Sequence, residues 1–181
     1  SEAVRASRRE YLQVSDPVRP PEDLLAHVQQ LADQASTPRD CVEAVIDHIH
    51  SEIQYVPGAT GVHTRAAEAW SARAGVCQDI SNLTIGCLRS VGIPTCYVSG
   101  YLMPPTDPQV GDTHKGESHA WIRWWDGAWI GADPTNDVVP GERHVEVAQG
   151  REYGDVPPLR GIFTGTGTSS MFVEVELTRL S

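Results

Sequence analysis

The chain of 181 residues, 40% apolar and 21% charged, has the composition of one ordinary folded domain, which excludes a disordered tail or a coiled coil. Its formal net charge of −10, from 14 basic against 24 acidic side chains, opposes binding to a nucleic-acid backbone or an anionic membrane. The apolar runs fall well short of the roughly 20 residues of a membrane span, and the charged stretch 1–10 is unlike a signal peptide.

Residues 1–20 read as a linker or arm, because Pro17, Pro20 and Pro21 disfavour helix ahead of them. The core is expected over 21–181. From 22 to 35, Leu24, Leu25, Val28, Leu31, Ala32 and Ala35 recur at helical spacing. Thr37 is the expected N-cap of a second helix and Pro38 its first residue, with Val42, Val45, Ile46, Ile49 and Ile53 on the buried face. After the break at Tyr55-Val56-Pro57-Gly58, a shorter helix is expected over 64–74, closed by Gly75. A longer helix then opens at Cys77, carries Ile80, Leu83, Thr84, Leu88 and Val91, and stops at Gly92 and Pro94.

The second half is rich in β-formers. Strands are expected over 95–102, 118–125 and 128–133, with a loop over 103–117 and a hairpin turn at Asp126-Gly127. Val173, Val175 and Leu177 alternate with Glu174 and Glu176 in a half-buried strand within 171–180. The glycines from Gly161 to Gly167 lack the strand-turn-helix context of a phosphate loop and read as a flexible turn. Helices first and strands afterwards predict an α+β domain with a mainly antiparallel sheet.

Thiol catalysis needs a thiolate, an acid-base partner and a group that orients it. Cys77 stands at a helix N-terminus, where free N–H groups and the helix dipole favour an anionic sulfur. Cys41, Cys87 and Cys96 lack that setting and read as small buried hydrophobes. Ten residues along one helix puts Cys87 about 15 Å from Cys77, too far for a disulfide. The absence of a C-x-x-C pair fits a reduced, cytoplasmic setting.

His119 precedes the Asp-Gly turn and Asp133 follows it, so register decides whether they meet. A two-residue loop would send them to opposite faces. A three-residue loop of Trp125, Asp126 and Gly127 would pair Trp124 with Ala128 and set His119 opposite Asp133. Trp121 would then face Gly131 and Arg123 would face Trp129, while Ala120, Ile122, Ile130 and Ala132 would line the other side. Trp121 is the expected wall of the site, and Tyr55 and Gln78 are candidate wall or oxyanion groups.

His27, His48, His50 and His144 have no patterned partners and read as surface residues. His114 and His119 with Cys77 offer zinc donors without zinc spacing, and the acidic residues form no EF-hand loop. No metal and no cofactor are expected.

With these residues placed, the sequence resembles the transglutaminase-like superfamily. The match is carried by Gly75-Val76-Cys77-Gln78-Asp79, Leu88-Arg89-Ser90-Val91-Gly92-Ile93-Pro94, Tyr97-Val98-Ser99-Gly100-Tyr101, His119-Ala120-Trp121, Trp129 and Asp133-Pro134-Thr135. The stretches Val147 to Tyr153 and Asp155-Val156-Pro157-Pro158 resemble its bacterial branch. The resemblance implies a papain-like α+β core, a β-rich domain ahead of it that is missing here, Cys77 as nucleophile, His119 as base and acid, and Asp133 as orienting carboxylate. It implies acyl transfer on a protein or peptide amide through a Cys77 thioester, resolved by water (peptidase, amidase or deamidase) or by an amine acceptor (transglutaminase). The alternative is a peptide-binding module of the same fold without catalysis.

Overall fold

A computed structural model describes residues 8–103, 109–157 and 174–180. In chain order its helices are α1 (Glu22–Gln34), α2 (Pro38–Glu52), α3 (Ala66–Ala72) and α4 (Cys77–Ser90). Its strands are β1 (Gln54–Tyr55), β2 (Ala74–Gly75), β3 (Thr95–Leu102), β4 (Thr113–Lys115), β5 (Glu117–Asp126), β6 (Ala128–Ala132), β7 (His144–Gly150) and β8 (Glu176–Thr178). The main sheet is antiparallel in the order β6-β5-β3-β7, and β1-β2 and β4-β8 are separate pairs. This is the α+β architecture expected from the order of the elements. Among the described residues no helix is long and apolar enough to cross a membrane.

The helices form where the sequence signals stand. Thr37 Oγ1 accepts from the Asp40 N–H at 3.1 Å and Asp40 returns a bond to the Thr37 N–H at 3.0 Å, so both first-turn donors of α2 are satisfied. Val42, Val45, Ile46, Ile49 and Ile53 are all buried, and they meet Ile80, Leu83 and Leu88 of α4 in one core with Ile122. α4 is buried along most of its length between the other helices and the sheet.

The segment read as an arm lies against this central helix. Val18 is fully buried, and Arg89 donates to the carbonyls of Gln13, Thr95 and Arg151, tying arm, helix and sheet together. Gly86 permits the contact, because a Cβ there would stand 1.7 Å from the Val18 carbonyl oxygen.

Several local expectations change. α3 is closed by Arg73 in the left-handed region (φ 51) rather than by Gly75. Gly75 lies in β2, with a Cβ there only 2.9 Å from Asp79 Cβ. The loop expected over 103–117 contains β4, which pairs with the short β8. In β8 and the two residues before it, Val175 and Leu177 are half-buried and Glu174 and Glu176 exposed, as the alternation predicts. Met171 to Val173 and the Gly161–Gly167 turn lie outside the described residues. β7 was not anticipated from the sequence: as an edge strand its polar and apolar residues do not alternate cleanly between faces.

Replacing Gly86 by Ala should lower the melting temperature by about 3–10 °C, since the intruding methyl meets backbone and overpacking costs about 1–3 kcal/mol. A thermal melt checks it, and an unchanged midpoint would show that the arm does not depend on this contact.

Candidate active site

Three pieces of local structure converge on the start of α4. Asp79 reaches back to accept from the Val76 N–H at 2.8 Å and from Thr60 Oγ1 at 2.5 Å, fixing the first turn that carries Cys77. The parallel pair β1-β2 sets Tyr55 beside Gly75, two residues ahead of Cys77. β5, paired along its length with β3, brings His119 to the same place.

The hairpin register differs from the expected one by two residues. Asp126 pairs with Ala128 across Gly127 (φ 74), so Arg123 faces Gly131 and Trp125 faces Trp129. Trp121 therefore does not face Gly131, and His119 stands diagonally across from Asp133 instead of opposite it. The turn is still odd in length, so parity keeps both side chains on one face. Ladder pairing stops at Ile122 and Ala132, and Asp133 then bridges to Val138, which turns its carboxylate toward His119. Ala120, Ile122, Ile130 and Ala132 pack into the helical core on the opposite face, as expected.

His119 Nε2 lies 2.7 Å from Asp133 Oδ2, with both residues buried. The Cys77 side chain lies close enough to the same imidazole to act on its charge. Burial alone would push the His119 pKa down. The bond to Asp133, the nearby Cys77 side chain and the negative charges of both outweigh it and raise it to about 9. For Asp133 burial pushes upward, but donation from His119, Asn136 and His144 and the His119 charge bring it down to about 2. At neutral pH this is an imidazolium-carboxylate pair.

The carboxylate is held on both oxygens. Oδ1 accepts from the backbone N–H groups of Thr135 (3.0 Å) and Asn136 (3.2 Å), and Oδ2 also accepts from Asn136 Nδ2 (2.7 Å). His144 Nε2 lies 3.0 Å from that Oδ2, while the Gly141 N–H donates to its Nδ1 at 3.3 Å. Since Nδ1 accepts, the proton sits on Nε2, and His144 is a neutral donor to Asp133. His144 was read from the sequence as a surface residue and is corrected to a half-buried member of the site. Its only sequence signal is its place on a strand that periodicity does not reveal.

Trp121, 2% exposed, stacks on His119 with centroids 6.0 Å apart and meets His144 edge-on at 5.2 Å. Gly100 makes room for it, because a Cβ there would lie 2.7 Å from the indole and 2.2 Å from the Val145 carbonyl oxygen. Tyr55 lines a cavity of about 290 Å³ beside His119, together with Leu102, Glu117, Ser118, Thr135 and Asn136. The Gln78 Nε2 donor is committed to the Val62 carbonyl at 3.3 Å.

The other cysteines are buried and unpaired. Burial raises the thiol pKa of Cys41, that of Cys87 far more, and that of Cys96 to about 11. His27 and His48 are half-buried against each other, their rings 4.1 Å apart, which corrects their reading as surface residues. His114 lies in β4, paired opposite Leu177. Potential metal-ligand atoms of His119, Asp133 and His144 all lie within 4.8 Å of one another. A cation there would have to displace the proton from each Nε2 and break both bonds to Asp133, so these residues fit a hydrogen-bonded cluster better than a metal centre.

A family model for the transglutaminase-like superfamily matches residues 26–134. The chain belongs to that superfamily. This transglutaminase-like chain is 49% identical over 144 residues to the uncharacterized protein ML0607 of Mycobacterium leprae, covering 80% of the chain and 52% of that protein. It is 39% identical over 173 residues to the uncharacterized protein Rv2569c of Mycobacterium tuberculosis, covering 88% and 54%. The chain thus spans about half the length of the curated relatives it matches. Its fold is similar to the crystal structure of a Cytophaga hutchinsonii protein proposed to be a cysteine protease, with TM-score 0.74, 27% identity, and 93% of this chain and 54% of that one covered. It is also similar to the periplasmic domain of TgpA from Pseudomonas aeruginosa bound to ethylmercury, with TM-score 0.56, 25% identity, and 74% and 50% covered.

The imidazole titrates near 6.5 in an unfolded chain and at about 9 in the folded one. The stability gained from protonating His119 is therefore fully present below pH about 6.5 and lost as pH rises through about 9, while that from ionised Asp133 is lost as pH falls through about 2. Asp133→Asn should bring the His119 pKa down from about 9 toward or below 6.5, because burial is then opposed by Cys77 alone. Histidine NMR titration reads this directly, and an unmoved His119 signal would show that Asp133 does not set its charge.

Proposed function

We propose that this domain is a cysteine-dependent acyltransferase or hydrolase acting on amides of a protein or peptide. The observation that carries the reading is the buried His119–Asp133 pair, 2.7 Å apart, with Cys77 at the start of α4 close enough to raise the imidazole pKa. Family membership and the cysteine-protease proposal for the Cytophaga hutchinsonii neighbour support it.

Sγ of Cys77 attacks the amide carbonyl carbon, and the carbonyl oxygen takes the negative charge. The Asp79 and Ile80 N–H groups already donate to the Val76 carbonyl, so the oxyanion donors the first turn of α4 can supply are the N–H groups of Cys77 and Gln78, that of Cys77 first. As the tetrahedral adduct collapses, the C–N bond breaks and His119 gives its proton to the departing nitrogen, leaving a thioester on Cys77. Water then yields the acid, or an amine yields a new amide, with His119 taking the nucleophile's proton. Asp133 keeps the ring aligned throughout, and Asn136 and His144 keep Asp133 in place. The cytoplasmic setting expected from the sequence is supported by four free thiols, whereas the TgpA neighbour is a periplasmic domain.

Mass spectrometry of the protein incubated with glutamine-containing peptides, with and without a primary amine, should show an acyl adduct on Cys77 and one product class: cleaved, deamidated or amine-linked peptide. Cys77→Ala should abolish adduct and product while melting normally. Turnover undiminished in that variant would overturn the mechanism, and intact peptide bound without turnover by the wild type would favour the binding-module reading.

A further inference from the structure

The cavity beside His119 has one carboxylate that the reaction does not use. Glu117 opens β5 two residues before His119, so alternation puts both on one strand face, about 7 Å apart along the strand. Leu102 is its cross-strand partner, and Tyr55 forms another wall.

Charge makes the cavity selective. The His119 imidazolium is balanced by Asp133, so the remaining formal charge among the lining residues is that of Glu117. No cation among the described residues pairs with it: Lys115 is taken by Glu174 and Arg123 by Glu146, while Arg143 binds the Met103 carbonyl. Leu102 and the half-exposed Tyr55 ring offer apolar surface for a methylene stem, and the ring face also attracts a cation. The Thr135 hydroxyl, buried in the lining and without a hydrogen-bond partner, offers an acceptor. Two lining residues lead to the reacting groups: His119 itself, and Tyr55, whose strand partner Gly75 lies two residues before Cys77.

We infer that this cavity is a subsite for an aliphatic chain ending in a cation, with Glu117 as the specificity-determining residue. The inference rests on the acyl-transfer reading. The occupant this chemistry fits is a lysine or arginine side chain of the acyl-donor peptide, which stays protonated against Glu117.

Binding to the Cys77→Ala protein tests the subsite without requiring turnover. In a series of glutamine peptides, a lysine is moved through the flanking positions and compared at each with norleucine and glutamate. At one position the lysine peptide should bind about fivefold more tightly than the norleucine peptide, and the glutamate peptide more weakly than either. The lysine advantage should shrink as salt is raised and disappear when Glu117→Gln is added. n-Butylamine, as its ammonium a mimic of the lysine side chain, should weaken binding of the lysine peptide in the Cys77→Ala protein and have no effect once Glu117→Gln is added; no competition at saturating amine counts against the subsite. Equal binding of all three peptides, preference that survives Glu117→Gln, or no binding by any of them overturns it. A melting curve of Glu117→Gln matching the parent shows that the substitution acts on recognition. Adduct formation by wild-type protein is read separately, so failure of the subsite is distinct from failure of the acyl-transfer mechanism.

Discussion

One carboxylate oxygen organises the site. Asp133 Oδ2 collects bonds from His119, Asn136 and His144, and Oδ1 is held by two backbone N–H groups. A buried anion is costly unless every lone pair is used, and here the surrounding donors keep it ionised. Its charge keeps the proton on His119, and that imidazolium in turn faces Cys77. The device works only if the donors are asymmetric. His144 gives a hydrogen bond without a charge because the Gly141 N–H occupies its other nitrogen, so His119 is the one cationic partner of the Asp133 carboxylate among the donors on it.

The fold holds these atoms with rigid parts. Cys77 is fixed by the α4 N-terminus, which Asp79 braces from below, and His119 comes from the part of β5 that pairs with β3, opposite Gly100. Trp121 fills the next position on the His119 face, stacking on one histidine and meeting the other at its edge. The two small residues at the crowded points, Gly75 against Asp79 and Gly100 against Trp121, set how closely helix, sheet and indole approach. Replacing either would move the site without touching a reacting atom.

Much of this was legible in the sequence because it rests on local rules. The buried stripe of α2, the Thr37 cap, the start of α4 at Cys77 and the odd parity of the Asp-Gly hairpin follow from periodicity and turn chemistry. The two-residue register error arose because the turn closes on Gly127 alone, which glycine's freedom at positive φ permits and which sequence does not separate from the longer loop. His144 and Asn136 were missed for another reason: each acts through a third residue. β7 is an edge strand with a register shift beside Gly100, so its pattern shows no buried face and its histidine looks like any other. Glu117, by contrast, shares the His119 face by simple alternation, and its role emerges only when the cavity's charge is counted.

The central claim is that Asp133, acting through His119, controls the reactivity of Cys77. Its most direct test is the rate of Cys77 alkylation by iodoacetamide at neutral pH, compared between wild type and Asp133→Asn, with the three buried cysteines as internal controls. The account predicts selective labelling of Cys77 in the wild type and a rate at least about tenfold lower in the variant. Equal rates in the two proteins would contradict it.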